Sequence, residues 1–111
     1  MTDRELIELA AKAAGITGFR YVDNEPIHGA YRTGVWSDVY EDCWNPLADD
    51  GDALRLAVTL RLEVCVWDTY TTVLTSDDDI STLNEPANGD SYAATRRAIT
   101  RAAAEIGKGM K

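Results

Sequence analysis

The side chains best suited to chemistry sit in a few short clusters. Asp49-Asp50-Gly51-Asp52 crowds carboxylates together and invites a calcium reading. An EF-hand loop needs oxygen ligands at alternating positions, a glycine at the sixth and a glutamate at the twelfth. The spacing here is different, and the twelfth position from Asp49 is Leu60. The same residues suit a helix start, where carboxylates cap free N–H groups and complement the helix dipole. We adopt that reading. Asp77-Asp78-Asp79 could attract a hard cation weakly, but three adjacent acids in a polar stretch read first as a solvated loop. They also count as a possible partner surface.

His28 is the only histidine. A Cys-His nucleophile would have to pair it with Cys43 or Cys65, and nothing in the spacing brings them together. Zinc would need three or four His, Cys or carboxylate ligands, and there are no C-x-x-C pairs. G-x-G-x-x-G, a phosphate loop and G-x-S-x-G are all missing. No catalytic residue, cofactor-binding residue or metal ligand is therefore assigned. An enzyme built on paired carboxylates stays open as an alternative, although no pair can be named.

Trp36, Tyr40 and Trp44 recur every four residues and would share one face of a short helix. Such a stripe reads as core. If exposed, it would be an anchor for a protein partner, since Trp and Tyr dominate interface hot spots. Arg96, Arg97 and Arg101 lie near the end of the chain. They read as a solvated helix face whose charge favours the helix C-terminus, with pairing to an acidic body as the other option.

These residues need elements to position them. Thr2 followed by Glu5 makes a capping box. Leu6, Leu9, Ala10 and Ala13 then recur at helical spacing, and Gly15 stops the helix, which predicts a helix over 3–14. Phe19 and Tyr21 alternate with Arg20 as a short strand. Asp23-Asn24-Glu25-Pro26 reads as a turn. A second strand over 30–36 is weakened by Gly29 and Gly34. The stretch through Trp44 carries no clear pattern.

A second helix is predicted over 50–60. Its stripe is Leu54, Ala57, Val58 and Arg61, widened by Leu56 and Leu60, so it should pack on more than one side. Two strands follow, at 62–67 and 70–75, and Asp68-Thr69 is short enough to join them as a hairpin. The polar run 76–89 reads as a loop. The last helix begins at Asp90 or Ser91, buries Tyr92, Ile99, Ala102, Ala103 and Ile106, and stops at Gly107. The expected architecture is α+β, in the order α-β-β-α-β-β-α, with a small antiparallel sheet packed by three helices.

The chain has 111 residues, 45% of them hydrophobic, which suits one domain with a real core. No apolar run approaches the ~20 residues that span a bilayer, and the first residues lack the basic head of a signal peptide. We expect a cytoplasmic protein with no membrane contact. Cys43 and Cys65 could bridge in an oxidising compartment, but nothing points to export. Cys65, between Val64 and Val66, reads as a small core residue. The net charge is −8. From Val22 to Thr95 the only lysines or arginines are Arg32, Arg55 and Arg61. Such a body argues against direct nucleic-acid binding, which needs a cationic surface.

Three blocks resemble a known group. MTDRELIELAAKAAGI, WNPLADDGDALRLAVTL (Trp44 to Leu60) and YAATRRAITRAAAEIG (Tyr92 to Gly107) are similar, in order and spacing, to small phage and prophage proteins of the phage ABA sandwich domain family. The resemblance implies a sheet layered between helices, and it brings no established activity or catalytic motif. On this footing the expected function is that of a non-enzymatic accessory protein acting through an unidentified protein partner, and a homo-oligomer is possible. The acidic charge supports a second reading, a nucleic-acid mimic that blocks a host defence enzyme of the restriction or CRISPR type.

Overall fold

The computed structural model describes residues 1–37, 42–75 and 82–110. Helix starts follow the local chemistry. In α1 (Asp3–Ala13) the Thr2 hydroxyl accepts the Glu5 N–H at 3.2 Å and itself donates to the Glu5 carboxylate at 3.1 Å. In α2 (Asp50–Leu60) Asp49 accepts the Asp52 N–H at 2.8 Å, and in α3 (Ser91–Lys108) Asp90 accepts the Ala93 N–H at 3.0 Å. Each carboxylate or hydroxyl satisfies a donor that the first turn leaves open. α3 runs past Gly107, the expected stop, and is capped at Gly109.

The class is α+β, but the strands number more than expected and form two sheets. The first sheet joins β1 (Phe19–Ile27), β2 (Ala30–Ser37) and β3 (Asp42–Trp44), all antiparallel. The turn expected at 23–26 is a bulge inside β1. Val22 pairs with Gly34 and Glu25 with Arg32, so Asp23 and Asn24 both face Thr33. Asn24 takes φ 51° and donates its N–H to the Thr33 hydroxyl at 2.9 Å. Asn tolerates that conformation, which is why the same residues could pass for a turn. The reversal falls at His28-Gly29, with φ 51° and 82°, as a two-residue hairpin turn requires.

The second sheet joins β4 (Glu63–Val66), β5 (Tyr70–Leu74) and β6 (Thr82–Pro86). The Asp68-Thr69 hairpin is present, with Trp67 and Tyr70 stacked across it at 6.1 Å. β6 lies in the run read as a loop. Its sequence, TLNEP, has little strand character of its own, but β5 offers an open edge to pair with. Tertiary pairing outweighs propensity here, as it often does in sheets.

α3 is the central element. It packs on α1, α2 and all three strands of the second sheet, while α1 also meets β2. The larger core joins Ala10, Leu56, Val73, Ile99 and Ala102, and a second cluster joins Ile7 and Ala11 of α1 to Val35. The first sheet thus packs on α1 and the second on α3, where the resemblance implied one sheet between helices. Gly107 explains how closely α1 and α3 approach. A β-carbon there would collide with the Leu9 backbone carbonyl. No helix among the described residues is long and apolar enough to cross a membrane.

Candidate functional site

The structure disperses the aromatic stripe. Trp36 lies in β2 and Trp44 in β3, so the helical placement does not hold. Val35 pairs with Trp44, and Trp36 with Cys43. Successive strand residues face opposite sides, so the two tryptophans point away from each other. Trp36 is buried, with the His28 ring 6.0 Å from it. Trp44 packs against both core clusters. Tyr40, Asp77, Asp78 and Asp79 lie outside the described residues.

The three arginines are not a solvated face. Arg96 donates to the Leu47 carbonyl at 2.9 Å and to Asp50 at 2.7 Å. Arg97 reaches Asp3 at 3.1 Å and Glu85 at 3.7 Å, and Arg101 also bonds Glu85. Together they clamp α3 to α1, α2 and β6. With the pairs at Glu8, Glu25, Asp49 and Asp52, these bridges draw many carboxylates into intramolecular work.

Two concavities stand out among the described residues. The first, about 580 Å³, is polar and is lined by Arg32, Asp42, Cys43, Asp49, Asp52 and Arg55 among others. Asp52 is buried and accepts the Asn45 N–H at 2.9 Å and Arg55 at 2.7 Å. Asp49 is the α2 cap. The acids of the Asp-Asp-Gly-Asp run thus hold a helix start, and Asp52 also holds the loop before it. Among the described residues no group of three or more His, Cys, Asp or Glu is placed to hold a metal ion.

Cys43 is a free thiol. Burial pushes it up from the ordinary thiol range; Arg32 pulls it down, and Asp42 and Asp52 reinforce the rise. A raised thiol holds less thiolate at neutral pH, the opposite of an activated nucleophile. Iodoacetamide should therefore alkylate Cys43 more slowly than free glutathione at pH 8. Its rate should climb up to about tenfold per pH unit above that, as thiolate forms. Peptide mapping by mass spectrometry follows it, and a rate at or above that of glutathione would contradict the assignment.

The second concavity is an apolar groove of about 560 Å³. Its floor is α3 with Thr95 and Ile99. One wall is α2 with Leu54 and Ala57, and the other is β4 with Val64 and Val66. Tyr92 stands at the mouth. Leu54 is 64% exposed, Val66 55% and Tyr92 73%; Val58, one turn along α2 from Leu54, is 70% exposed. The expected two-sided burial of α2 does not occur. Ala53, Leu56 and Ala57 face the core, while Leu54 and Val58 face solvent. Tyr92, expected in the buried face of α3, belongs to its first turn and is exposed. The surplus of apolar residues on α2 was the sequence signal for this groove.

Comparison with family models, curated proteins and solved structures found no match to the chain.

Proposed function

We propose that this is a non-enzymatic accessory protein that works by holding a protein partner in the groove between α2, α3 and β4. The observation that carries the reading is the set of large apolar side chains left in solvent around one concavity: Leu54, Val66 and Tyr92. Large exposed apolar patches around a groove mark interaction sites, and an aromatic at the rim is a typical anchor. The polar pocket supports no competing chemistry, because Asp49 and Asp52 are engaged in a cap and a loop bracket. A phage or prophage role rests on the three blocks that resemble the phage ABA sandwich group. Much of the middle block serves the fold, through Trp44, Asn45, Pro46 and Asp52.

The test is site-specific photocrosslinking in the cell that makes the protein. A benzophenone amino acid replaces Leu54, Val66 or Tyr92, and Tyr31, 73% exposed in the first sheet, serves as control. The expected result is one discrete adduct from the groove positions and none from position 31. No adduct, or the same adducts from every position, would overturn the reading.

A further inference from the structure

We infer that the free edge of β4 accepts an extended, cationic segment of the partner as a fourth strand. Its alternate side chains enter the groove. This rests on the groove being a protein-contact site.

β4 ends the β4-β5-β6 sheet. The Trp67 N–H donates to the Tyr70 carbonyl at 2.8 Å, so Trp67 and Tyr70 form a hydrogen-bonded pair. Such pairs alternate along an antiparallel ladder. The N–H and C=O groups of Val66 and Val64 therefore point outward, away from β5. Neither has a backbone partner on that side among the described residues.

The other sheet edges carry the usual guards against pairing. β1 is broken by its bulge and contains Pro26. β3 is three residues long. β6 ends in Pro86, and its Glu85 is clamped by Arg97 and Arg101. β4 is also short and starts with Glu63, but it has neither proline, lysine nor bulge over Val64-Cys65-Val66. Among the described residues the least guarded edge is thus also a wall of the apolar groove. An added strand lies roughly 4.8 Å from its neighbour. It would place every second side chain against Val64, Val66 and Leu54, while main-chain bonds supply affinity.

Charge selects the occupant. Glu63 opens β4, Asp68 lies in the turn after it, and Asp90 precedes the groove-lining Ser91 and Tyr92. All three are exposed, and none forms an ion pair among the described residues. No lysine or arginine occurs from Glu63 to Asp90; the exposed Arg61 precedes β4, and Arg96, the cation lining the groove, is paired with Asp50. A segment alternating apolar residues with lysine or arginine complements this edge. A second copy, also at −8, would oppose acids with acids.

The experiment uses the full chain and a dye-labelled peptide of about eight residues alternating valine with lysine, the length of a typical added strand. Binding is read by fluorescence anisotropy. Three comparison peptides are used: the same sequence with alternate backbone nitrogens methylated, a valine–glutamate version, and an amphipathic leucine–lysine helix. The valine–lysine peptide should bind. Backbone methylation, charge reversal and the protein variant Val66→Lys should each weaken it by about tenfold or more. Val66→Lys changes a side chain 55% exposed, so its melting temperature should stay near the parent's and a binding loss can be read as such.

Equal binding of the methylated peptide, or binding of the helix alone, would overturn strand addition. If no peptide binds while crosslinks from positions 54, 66 and 92 persist, the inference fails and the groove reading stands. If both fail, both readings fall. A dimer in sedimentation that Val66→Lys abolishes would name a second copy as the occupant and equally overturn the inference.

Discussion

Gly107→Ala is expected to unfold at lower urea than the parent protein, although alanine is the better helix former. Replacing a glycine inside a helix by alanine normally gains up to about 1 kcal/mol, and less in the last turn, where Gly107 lies. Here the new β-carbon would run into the Leu9 carbonyl and crowd the Ala13 N–H of α1. Forcing extra volume into a packed contact costs ~1–3 kcal/mol, occasionally more. The obstacle is backbone, so no rotamer change relieves it; α1 and α3 must move apart. α1 and α3 share the core through Ala10, Ala98, Ala102 and Ala103, and separation would loosen all of these contacts. The net expectation is a loss of about 2 kcal/mol. Gly109→Ala is the control, because a β-carbon there meets only ordinary contacts and φ is −80°. It should unfold within about 0.5 kcal/mol of the parent. Equilibrium unfolding by far-UV circular dichroism measures both, and a stabilised Gly107→Ala would refute the close approach.

Gly107 also shows where the sequence stops being informative. A glycine near a helix end reads as a terminator because that is its commonest local use, whereas its role here is set by Leu9 at the other end of the chain. Helix starts were legible because their causes are local: Thr2 with Glu5, Asp49 with Asp52, Asp90 with Ala93. The Asp23–Pro26 segment failed for the opposite reason. A bulge and a turn use the same residues, and the choice between them was made by Thr33 on the partner strand. Spacing of four fits a helix, but it also fits two strands of a hairpin, which is how Trp36 and Trp44 came to lie on opposite faces. β6 exists because β5 has an edge to fill. The groove was half visible. The surplus apolar residues on α2 were plain, but two-sided burial assumed a second packing partner within the chain. Leu54 and Val58 instead remain mostly exposed among the described residues.

Asp52→Ala is expected to cost about 2–3 kcal/mol, and the loss should come from a stranded backbone donor more than from a broken ion pair. Asp52 is 8% exposed. One carboxylate oxygen takes the Asn45 N–H at 2.9 Å and the other takes Arg55 at 2.7 Å. Asn45 in turn gives its side-chain amide to the Thr33 carbonyl at 2.9 Å and accepts the Leu47 N–H at 3.0 Å. Asp52 therefore ties α2, through the loop after β3, to β2. Asn45 is half-buried, and leaving its donor unpaired costs ~1–3 kcal/mol. The Arg55 side chain is 70% exposed, so its pair with Asp52 is screened and contributes little. Three variants separate the two contributions. Asp52→Asn keeps an acceptor for Asn45 and should lose only about 1 kcal/mol. Arg55→Ala should keep a urea midpoint close to the parent's. Only Asp52→Ala strands the Asn45 N–H and should approach the full loss. Equilibrium unfolding in urea at pH 7 ranks them. If Asp52→Asn proved as damaging as Asp52→Ala, charge rather than the bracket around Asn45 would hold this corner of the fold.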